Sequence, residues 1–238
     1  MTRRSEQQTE TRRQTLLFGL LSGVVIVFTG LLTRLSPQVF APYFGELPPV
    51  AVMLGIVALG GVVVSFFLTR GWFVVFEPGD VRRRALLVAG PPTLLATGMA
   101  LVDSVAVLPE DINVAVPLSL LFYPTIAVVV EVLFHLLPLA VAFVVVSSLG
   151  DGAERPELVW GVILVVALLE PLFQLQLGFP RAIPRWATAY VAANVFVINV
   201  VQLYLFTRYD FLTMYAFRLV YYLWWHIVWG TLRLQLLF

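Results

Sequence analysis

The chain has 238 residues, of which 60% are hydrophobic and 12% are charged, and its formal net charge is +1. Since about a quarter of the residues of soluble proteins are charged, this composition indicates a polytopic membrane protein in contact with lipid. The 15 basic residues are all arginines and are scattered over many loops, so we expect no nucleic-acid partner. The lack of cysteine and lysine excludes disulfides, thiolate metal sites and lysine Schiff bases.

The chain contains seven apolar runs that are long enough to cross a bilayer, because about 20 helical residues span roughly 30 Å of hydrocarbon. The predicted spans are residues 15–33, 48–69, 85–107, 114–149, 158–178, 186–206 and 211–232. The fourth run is too long for one upright helix, so it is either a tilted helix kinked at Pro124 or Pro138, or a crossing with a further piece. We therefore predict an all-α, polytopic transmembrane helical bundle of seven spans, with eight as the alternative. A tail of residues 1–14 precedes this single domain, which covers residues 15–238.

Arginines beside the spans predict the orientation of the first half, because positively charged loops stay in the cytoplasm. Four arginines precede the first span, and four lie between the second and third spans. The loop between the first two spans holds only Arg34, and the loop after the third span holds Glu110 and Asp111 but no arginine. We therefore expect a multi-pass protein of the cell membrane with a cytoplasmic N-terminus and tail. The arginines of the second half are spread evenly and leave the side of the C-terminus open.

Polar side chains inside the spans carry the chemical information. An ionisable group in the middle of a bilayer costs roughly 2.5–3.5 kcal/mol and is a functional hypothesis by default. Glu131 and His135 are four residues apart and share one face of the fourth span, and Glu170 lies in the middle of the fifth span, one turn before Gln174. The seventh span carries, on one arc, Tyr215, Arg218, Tyr222, Trp225, His226 and Trp229. The sixth span carries amides that need partners inside the bundle: Asn194, Asn199 and Gln202.

The only two histidines of the chain, His135 and His226, are both predicted near the middle of the membrane, on helices that carry or face carboxylates. Two imidazoles and two carboxylates suit a divalent metal ion such as zinc. A bound water would be acidified, a glutamate would act as general base, and Arg218 and Tyr222 would stabilise an oxyanion. The predicted catalytic residues are Glu131, Glu170, Arg218 and Tyr222, with His135 and His226 as metal ligands.

The same residues also fit a structural role. Membrane helices associate through buried hydrogen bonds of about 0.6–2 kcal/mol each, so Glu131 would simply bond His226 or neutralise Arg218. Pairing of one arginine with one carboxylate still leaves a second carboxylate and both histidines to explain. The glycines of residues 55–61 likewise predict close helix contacts. The alternative function is therefore a non-enzymatic transporter, scaffold or partner-binding protein; a haem protein with two axial histidines fits less well, because a second ligand pair is lacking.

The polar middle and final helices resemble the CAAX protease and bacteriocin-processing (CPBP) family of intramembrane proteases. The pattern of that family runs E-E-x-x-x-R, then F-x-x-x-H, then H-x-x-x-N or H-x-x-x-D. In this chain the segment VEVLFH has Glu131 at the second acidic place, Val130 at the first and His135 in place of the arginine. The resemblance covers about the last half of the chain.

The other two elements of the pattern depart further from the family. Glu170 and Gln174 are the polar residues nearest to the second element, and in the third element, HIVWG, His226 is followed by Gly230 where the family has Asn or Asp. The resemblance implies cleavage of a membrane-embedded peptide or prenylated substrate, and its departures fit an inactive or divergent relative equally well.

Overall fold

The computed structural model of the protein describes residues 2–148, 155–177 and 183–238. All regular structure in these ranges is helical, and they contain no β-strand, as the all-α prediction requires. The predicted tail of residues 1–14 lies partly outside the described residues, because Met1 and the side chains of residues 2–7 are not among them. Where the tail is described, it is the beginning of a helix that continues without a break into the first span.

Eleven α-helices form the described part of the chain. In chain order they are α1 (Thr2–Leu35), α2 (Ala41–Phe44), α3 (Pro49–Arg70), α4 (Val81–Ala106), α5 (Ser119–Val130), α6 (Leu137–Ser148), α7 (Pro156–Ala167), α8 (Leu169–Leu177), α9 (Arg185–Arg208), α10 (Phe211–Tyr222) and α11 (Gly230–Leu236). The π-helical segments Glu131–Leu136 and Leu223–Trp229 join α5 to α6 and α10 to α11, and a 3-10 turn covers Glu110–Ile112. The two joined pairs are therefore continuous long helices.

Local sequence signals account for several helix ends. Asp80 and Asp210 are N-caps of α4 and α10, and their carboxylates accept the backbone N–H of Arg83 at 3.0 Å and of Thr213 at 2.7 Å. Such a cap satisfies one of the N–H groups that the first helical turn leaves free. Gly71 ends α3 with a φ of 66°, a left-handed conformation that glycine adopts without strain.

Six helices in the described residues are long and apolar enough to cross a membrane: Gln8–Leu35, Pro49–Arg70, Val81–Ala106, Ser119–Ser148, Pro156–Gln176 and Arg185–Arg208. These helices support a multi-pass membrane protein, but they do not confirm a count of seven. The fourth apolar run is one continuous helix from Ser119, so it supplies one span rather than two. The predicted seventh span is also helical, but it is not among these six.

Close packing in the bundle depends on one glycine in particular. A Cβ added at Gly60 in α3 would lie 2.8 Å from the ring of Phe18 in α1 and 2.9 Å from a methyl group of Val132. A Cβ added at Gly55 would meet nothing within 4 Å. The predicted close helix contact in residues 55–61 is thus confirmed at Gly60 and not at Gly55.

One end of the bundle, where α1 begins, is held by contacts with the loop between α3 and α4. The side chain of Gln14 accepts the N–H of Val75 at 2.9 Å and of Phe76 at 2.8 Å, and it donates to the carbonyl of Phe76 at 2.7 Å. Asp210, just before α10, accepts from Arg84 at 2.6 Å. We call this the N-terminal end of the bundle.

A buried ion pair holds the other end, where α4 and α11 finish. Asp103 and Arg233 are both fully buried, and their side chains approach to 2.6 Å. Arg233 also donates to the carbonyl oxygens of Leu108 and Pro109, and Asp103 accepts from the indole of Trp229 at 2.7 Å. The helical segment from α10 to α11 therefore runs from the N-terminal end of the bundle to this opposite end.

Candidate functional site

Glu131, the first residue of a π-helical segment, lies at the centre of a buried polar network and is itself fully buried. One carboxylate oxygen accepts from Nε of Arg218 at 2.6 Å and from the amide of Gln202 at 2.5 Å. The other oxygen contacts Nδ1 of His135 at 2.5 Å. Three partners from two helices and from the π-helical segment itself thus fix the orientation of this carboxylate. Such π-helical insertions are frequent at functional sites.

Arg218 uses all five of its N–H donors inside the protein. Nε donates to Glu131, Nη1 donates to Glu170 at 3.4 Å and to the hydroxyl of Tyr222 at 3.3 Å, and Nη2 donates to Glu170 at 3.2 Å and to Asn199 at 3.2 Å. A planar guanidinium matches a carboxylate with two parallel bonds, as it does at Glu170. The arginine therefore ties the π-helical segment to α8, α9 and α10.

His135 contributes one nitrogen to the network and leaves the other without a partner. Its side chain is fully buried, Nδ1 contacts Glu131, and Nε2 has no hydrogen-bond partner among the described residues. The carbonyl oxygen of the Gln202 side chain is likewise buried without a partner in the described part of the chain. A buried polar atom left unpaired costs about 1–3 kcal/mol, so the network is not optimised for stability alone.

His226 lies outside the network and is held by a different segment. Its Nδ1 contacts Oδ1 of Asn113 at 2.5 Å, and its ring stacks on that of Tyr123 with the centroids 4.5 Å apart. A Cβ added at Gly230 would lie 3.2 Å from Cγ of Asn113. The Asn113 side chain therefore packs against Gly230.

A cavity of about 440 Å³ borders the network. Its polar wall consists of Glu170, Gln174, Tyr222 and His226. The rest of the lining is mainly aliphatic and aromatic: Tyr43, Phe44, Leu47, Val52, Ile56, Phe122, Tyr123, Ile126, Val129, Val130, Leu133, Phe134 and Phe173. A few precisely placed polar groups in an otherwise apolar cavity of this size are typical of sites for small molecules.

The cavity reaches the outer surface of the bundle. The most exposed of its lining residues are Leu47 at 62% and Tyr43 at 56%, in and beside α2, followed by Phe173 at 46% and Leu133 at 36%. On the side of Leu133, the rings of Phe134 and Phe173 are in contact, with their centroids 5.2 Å apart. Leu133 and Phe173 belong to helices that are long and apolar enough to span a membrane, so this side of the opening is apolar.

Most of the predicted site residues meet, but the two histidines do not share a ligand. The residues that form one hydrogen-bonded network are Glu131, His135, Glu170, Arg218 and Tyr222. The ring of His226 contacts that of Tyr222 at a centroid distance of 5.0 Å, and among the described residues His226 has no hydrogen bond to this network. Among the described residues no three histidine or acidic side chains form a group that could hold a metal ion. Zinc therefore stays a prediction from the sequence.

The sequence also indicated that the amides of α9 need partners inside the bundle, and the structure supplies them. Asn194 donates to the carbonyl of Leu95, Asn199 donates to the carbonyl of Ala167, and Gln202 bonds Glu131. Asn113 was not predicted, because it lies in a loop between spans and no spacing rule connects it with His226. The sequence signal that points to Asn113 is an amide side chain in a loop at the same membrane depth as a buried histidine.

Glu131, Glu170 and Arg218 form an ion cluster of two carboxylates and one arginine. Glu170 shares the wall of the cavity with Tyr222 and His226. The arrangement can therefore bind a polar group at that wall and an apolar chain in the remainder of the cavity. Comparison with family models, with curated proteins and with solved structures finds no match for this chain.

Proposed function

We propose that the chain crosses the cell membrane seven times, with its N-terminus in the cytoplasm and its C-terminus on the other side. The ion pairs at the two ends of the bundle support the seventh crossing. Asp210 bonds Arg84 beside the N-terminal end, and Arg233 bonds Asp103 at the opposite end, so the helical segment between them covers the depth of the bundle. The cytoplasmic side follows from the arginines near the N-terminus and between α3 and α4.

We propose that the protein binds a membrane-soluble amphiphile, with the apolar chain in the cavity and the polar end at Glu170. The observation that carries this proposal is the cavity itself, which is apolar except for one wall of four polar side chains and opens beside Phe173. A ligand that reaches it from the bilayer needs an apolar body. The polar wall then selects its head group, since the few polar groups of such sites determine orientation and specificity.

The buried network supports binding because it holds the polar wall rigid. Arg218 has no free N–H donor, so its role is to fix Glu170 rather than to contact a ligand. Gln174 holds the same carboxylate from the next turn of α8 at 3.1 Å. Binding residues whose own positions are fixed in advance lose little conformational entropy when a ligand arrives.

Photocrosslinking tests this proposal. The protein in nanodiscs of zwitterionic lipid is irradiated with a long-chain alcohol that carries a diazirine, and labelled peptides are identified by mass spectrometry. We expect labels on the peptides that contain Phe134 and Phe173. Leu133→Trp, which fills the opening, should reduce this labelling, whereas Leu164→Trp on the exposed surface of α7 should not. Equal labelling of the cavity and of lipid-facing surfaces in all three proteins would contradict the proposal.

A second candidate function is hydrolysis of a membrane-embedded peptide or prenylated substrate. The observation that favours it is the pair of His226 and Asn113, because an amide that holds Nδ1 fixes the ring of a histidine that lines the cavity. Glu170 or the imidazole would then take a proton from an attacking water, and Tyr222 would stabilise the oxyanion. Glu131 and Arg218 would position Glu170, and His135 would hold Glu131.

Turnover of a prenylated peptide separates the two functions. A hydrolase should release product, and both Glu170→Gln and His226→Ala should abolish the release. Asn113→Ala should lower kcat, because the imidazole of His226 loses the contact that fixes its ring. If the wild-type protein releases no product although the alcohol probe labels its cavity, the chain binds its ligand without cleaving it and the second candidate is rejected.

A further inference from the structure

Two carboxylates share one arginine beside the cavity. Glu131 and Glu170 both bond Arg218. His135 contacts Glu131, and among the described residues it makes no contact with Glu170. The carboxylate that lines the cavity, Glu170, therefore shares a single guanidinium with a second carboxylate.

The more weakly paired of the two carboxylates lies on the cavity side of the cluster. Arg218 approaches Glu131 to 2.6 Å, whereas its two contacts with Glu170 are 3.2 and 3.4 Å long. Glu131 also contacts Gln202 and His135, both at 2.5 Å, whereas the further bond of Glu170, from Gln174, is 3.1 Å long. Glu170 is the carboxylate that lines the cavity. A ligand therefore meets a carboxylate that the protein has only partly neutralised.

Aromatic rings form a continuous wall beside this carboxylate. The rings of Tyr123 and Tyr222 are 5.4 Å apart between centroids, and that of Phe122 is 5.3 Å from that of Tyr123. Both tyrosines line the cavity together with His226. The ring of His226 stacks on one face of Tyr123, and the guanidinium of Arg218 lies over one face of Tyr222 at 5.7 Å, so a ligand has only the remaining faces available. The faces of aromatic rings attract cations, and the attraction reaches about 2 kcal/mol when the site is desolvated. Rings and a partly neutralised carboxylate are the two components that bind ammonium groups.

We propose that the ligand of the cavity is a single-chain amphiphile with a positively charged ammonium head group, which pairs with Glu170 against the rings of Tyr123 and Tyr222. This inference rests on the proposed binding function and adds the charge of the head group. An anionic head group is rejected, because it would meet like charge in a medium of low dielectric constant. A neutral head group binds more weakly than the cation.

Three diazirine probes with the same alkyl chain test the charge. One carries a trimethylammonium group, one a hydroxyl and one a sulfate, and each is crosslinked to the wild-type protein in nanodiscs of zwitterionic lipid. We expect the ammonium probe to label the cavity peptides at a concentration about tenfold lower than the alcohol probe. A tenfold difference in affinity is what one contact between a desolvated cation and an aromatic ring supplies. The sulfate should label them least. This comparison uses only the wild-type protein, so it does not depend on whether any variant folds.

Two matched variants assign the preference to one carboxylate. Glu170→Gln should bring the ammonium and alcohol probes to equal labelling, whereas Glu46→Gln, at an exposed glutamate beside α2, should leave the preference unchanged. A preference that persists in Glu170→Gln and disappears in Glu46→Gln would assign it to surface charge and overturn the inference. Equal labelling of the wild-type cavity by all three probes would also overturn it, while leaving the binding function intact. No cavity labelling by any probe would overturn both.

Discussion

Replacement of Arg218 by methionine is the perturbation that most directly tests the buried network. Methionine keeps an unbranched chain of similar length but provides no donor, so Glu131 and Glu170 both lose their cationic partner. Both carboxylates are buried, with 0% and 5% of their surface exposed. We expect a folded but much less stable protein.

The size of the effect follows from the contacts of Arg218. Removal of one partner from a buried ion pair costs about 3–5 kcal/mol, because the remaining charge is uncompensated. Arg218 serves two carboxylates, which favours the upper part of this range, but polar groups also find partners in the unfolded state within a membrane, which lowers it. We therefore expect a loss of about 3 kcal/mol in the free energy of unfolding.

Unfolding by sodium dodecyl sulfate in mixed micelles, followed by the fluorescence of the six tryptophans, measures this loss. Arg82→Met is the matched control, because Arg82 is exposed at the start of α4 and its replacement should change stability by less than about 0.5 kcal/mol. The double variant Glu131→Gln with Arg218→Met should regain part of the loss, since one of the two uncompensated charges is removed. The reasoning is refuted if Arg218→Met is as stable as Arg82→Met, or if the double variant is less stable than Arg218→Met alone.

Three further predictions use the same unfolding assay. Gly60→Ala should destabilise the protein by about 1–3 kcal/mol through overpacking, whereas Gly55→Ala should be neutral or stabilising, and equal effects would contradict the packing found at Gly60. Asp103→Ala should cost about 3–5 kcal/mol because it leaves Arg233 buried and uncompensated; a loss below about 1 kcal/mol would mean that the carbonyl oxygens around the arginine suffice. Gln14→Leu removes three hydrogen bonds to the loop between α3 and α4 and should cost about 1–3 kcal/mol. The same change should make that loop a preferred site of limited proteolysis. Unchanged cleavage would contradict the role of Gln14 in holding the loop.

Hydropathy was sufficient to find the helices of the bundle. The apolar run at residues 186–206 corresponds to α9, Arg185–Arg208, because the arginines that flank it also mark where the chain leaves the apolar environment. The contact of Glu131 with His135 was likewise predictable, since residues four apart on one helical face are neighbours. These features depend on residues close together in sequence, and for that reason the sequence by itself determined them.

The interruptions within the long helices were not predictable in the same way. The fourth apolar run was expected to be either a tilted helix kinked at a proline or a crossing with a further piece, but it is a single helix whose middle turns are π-helical at Glu131–Leu136. A second π-helical segment, Leu223–Trp229, carries His226. Each such segment changes which side chains share a face, so a regular helical projection of the sequence misassigns the direction of residues beyond it.

Only the tertiary structure decided which polar groups meet. The sequence indicated that Arg218, Glu131, Glu170 and both histidines needed partners, but it left open whether His226 bonds Glu131. In the fold Arg218 bonds Glu131 across 87 positions of the chain, and His226 bonds Asn113 across 113 positions. Such contacts depend on the rotation, tilt and neighbours of each helix. The apolar pattern of a membrane helix constrains its rotation and its neighbours only weakly, because lipid and protein surroundings accept the same aliphatic side chains.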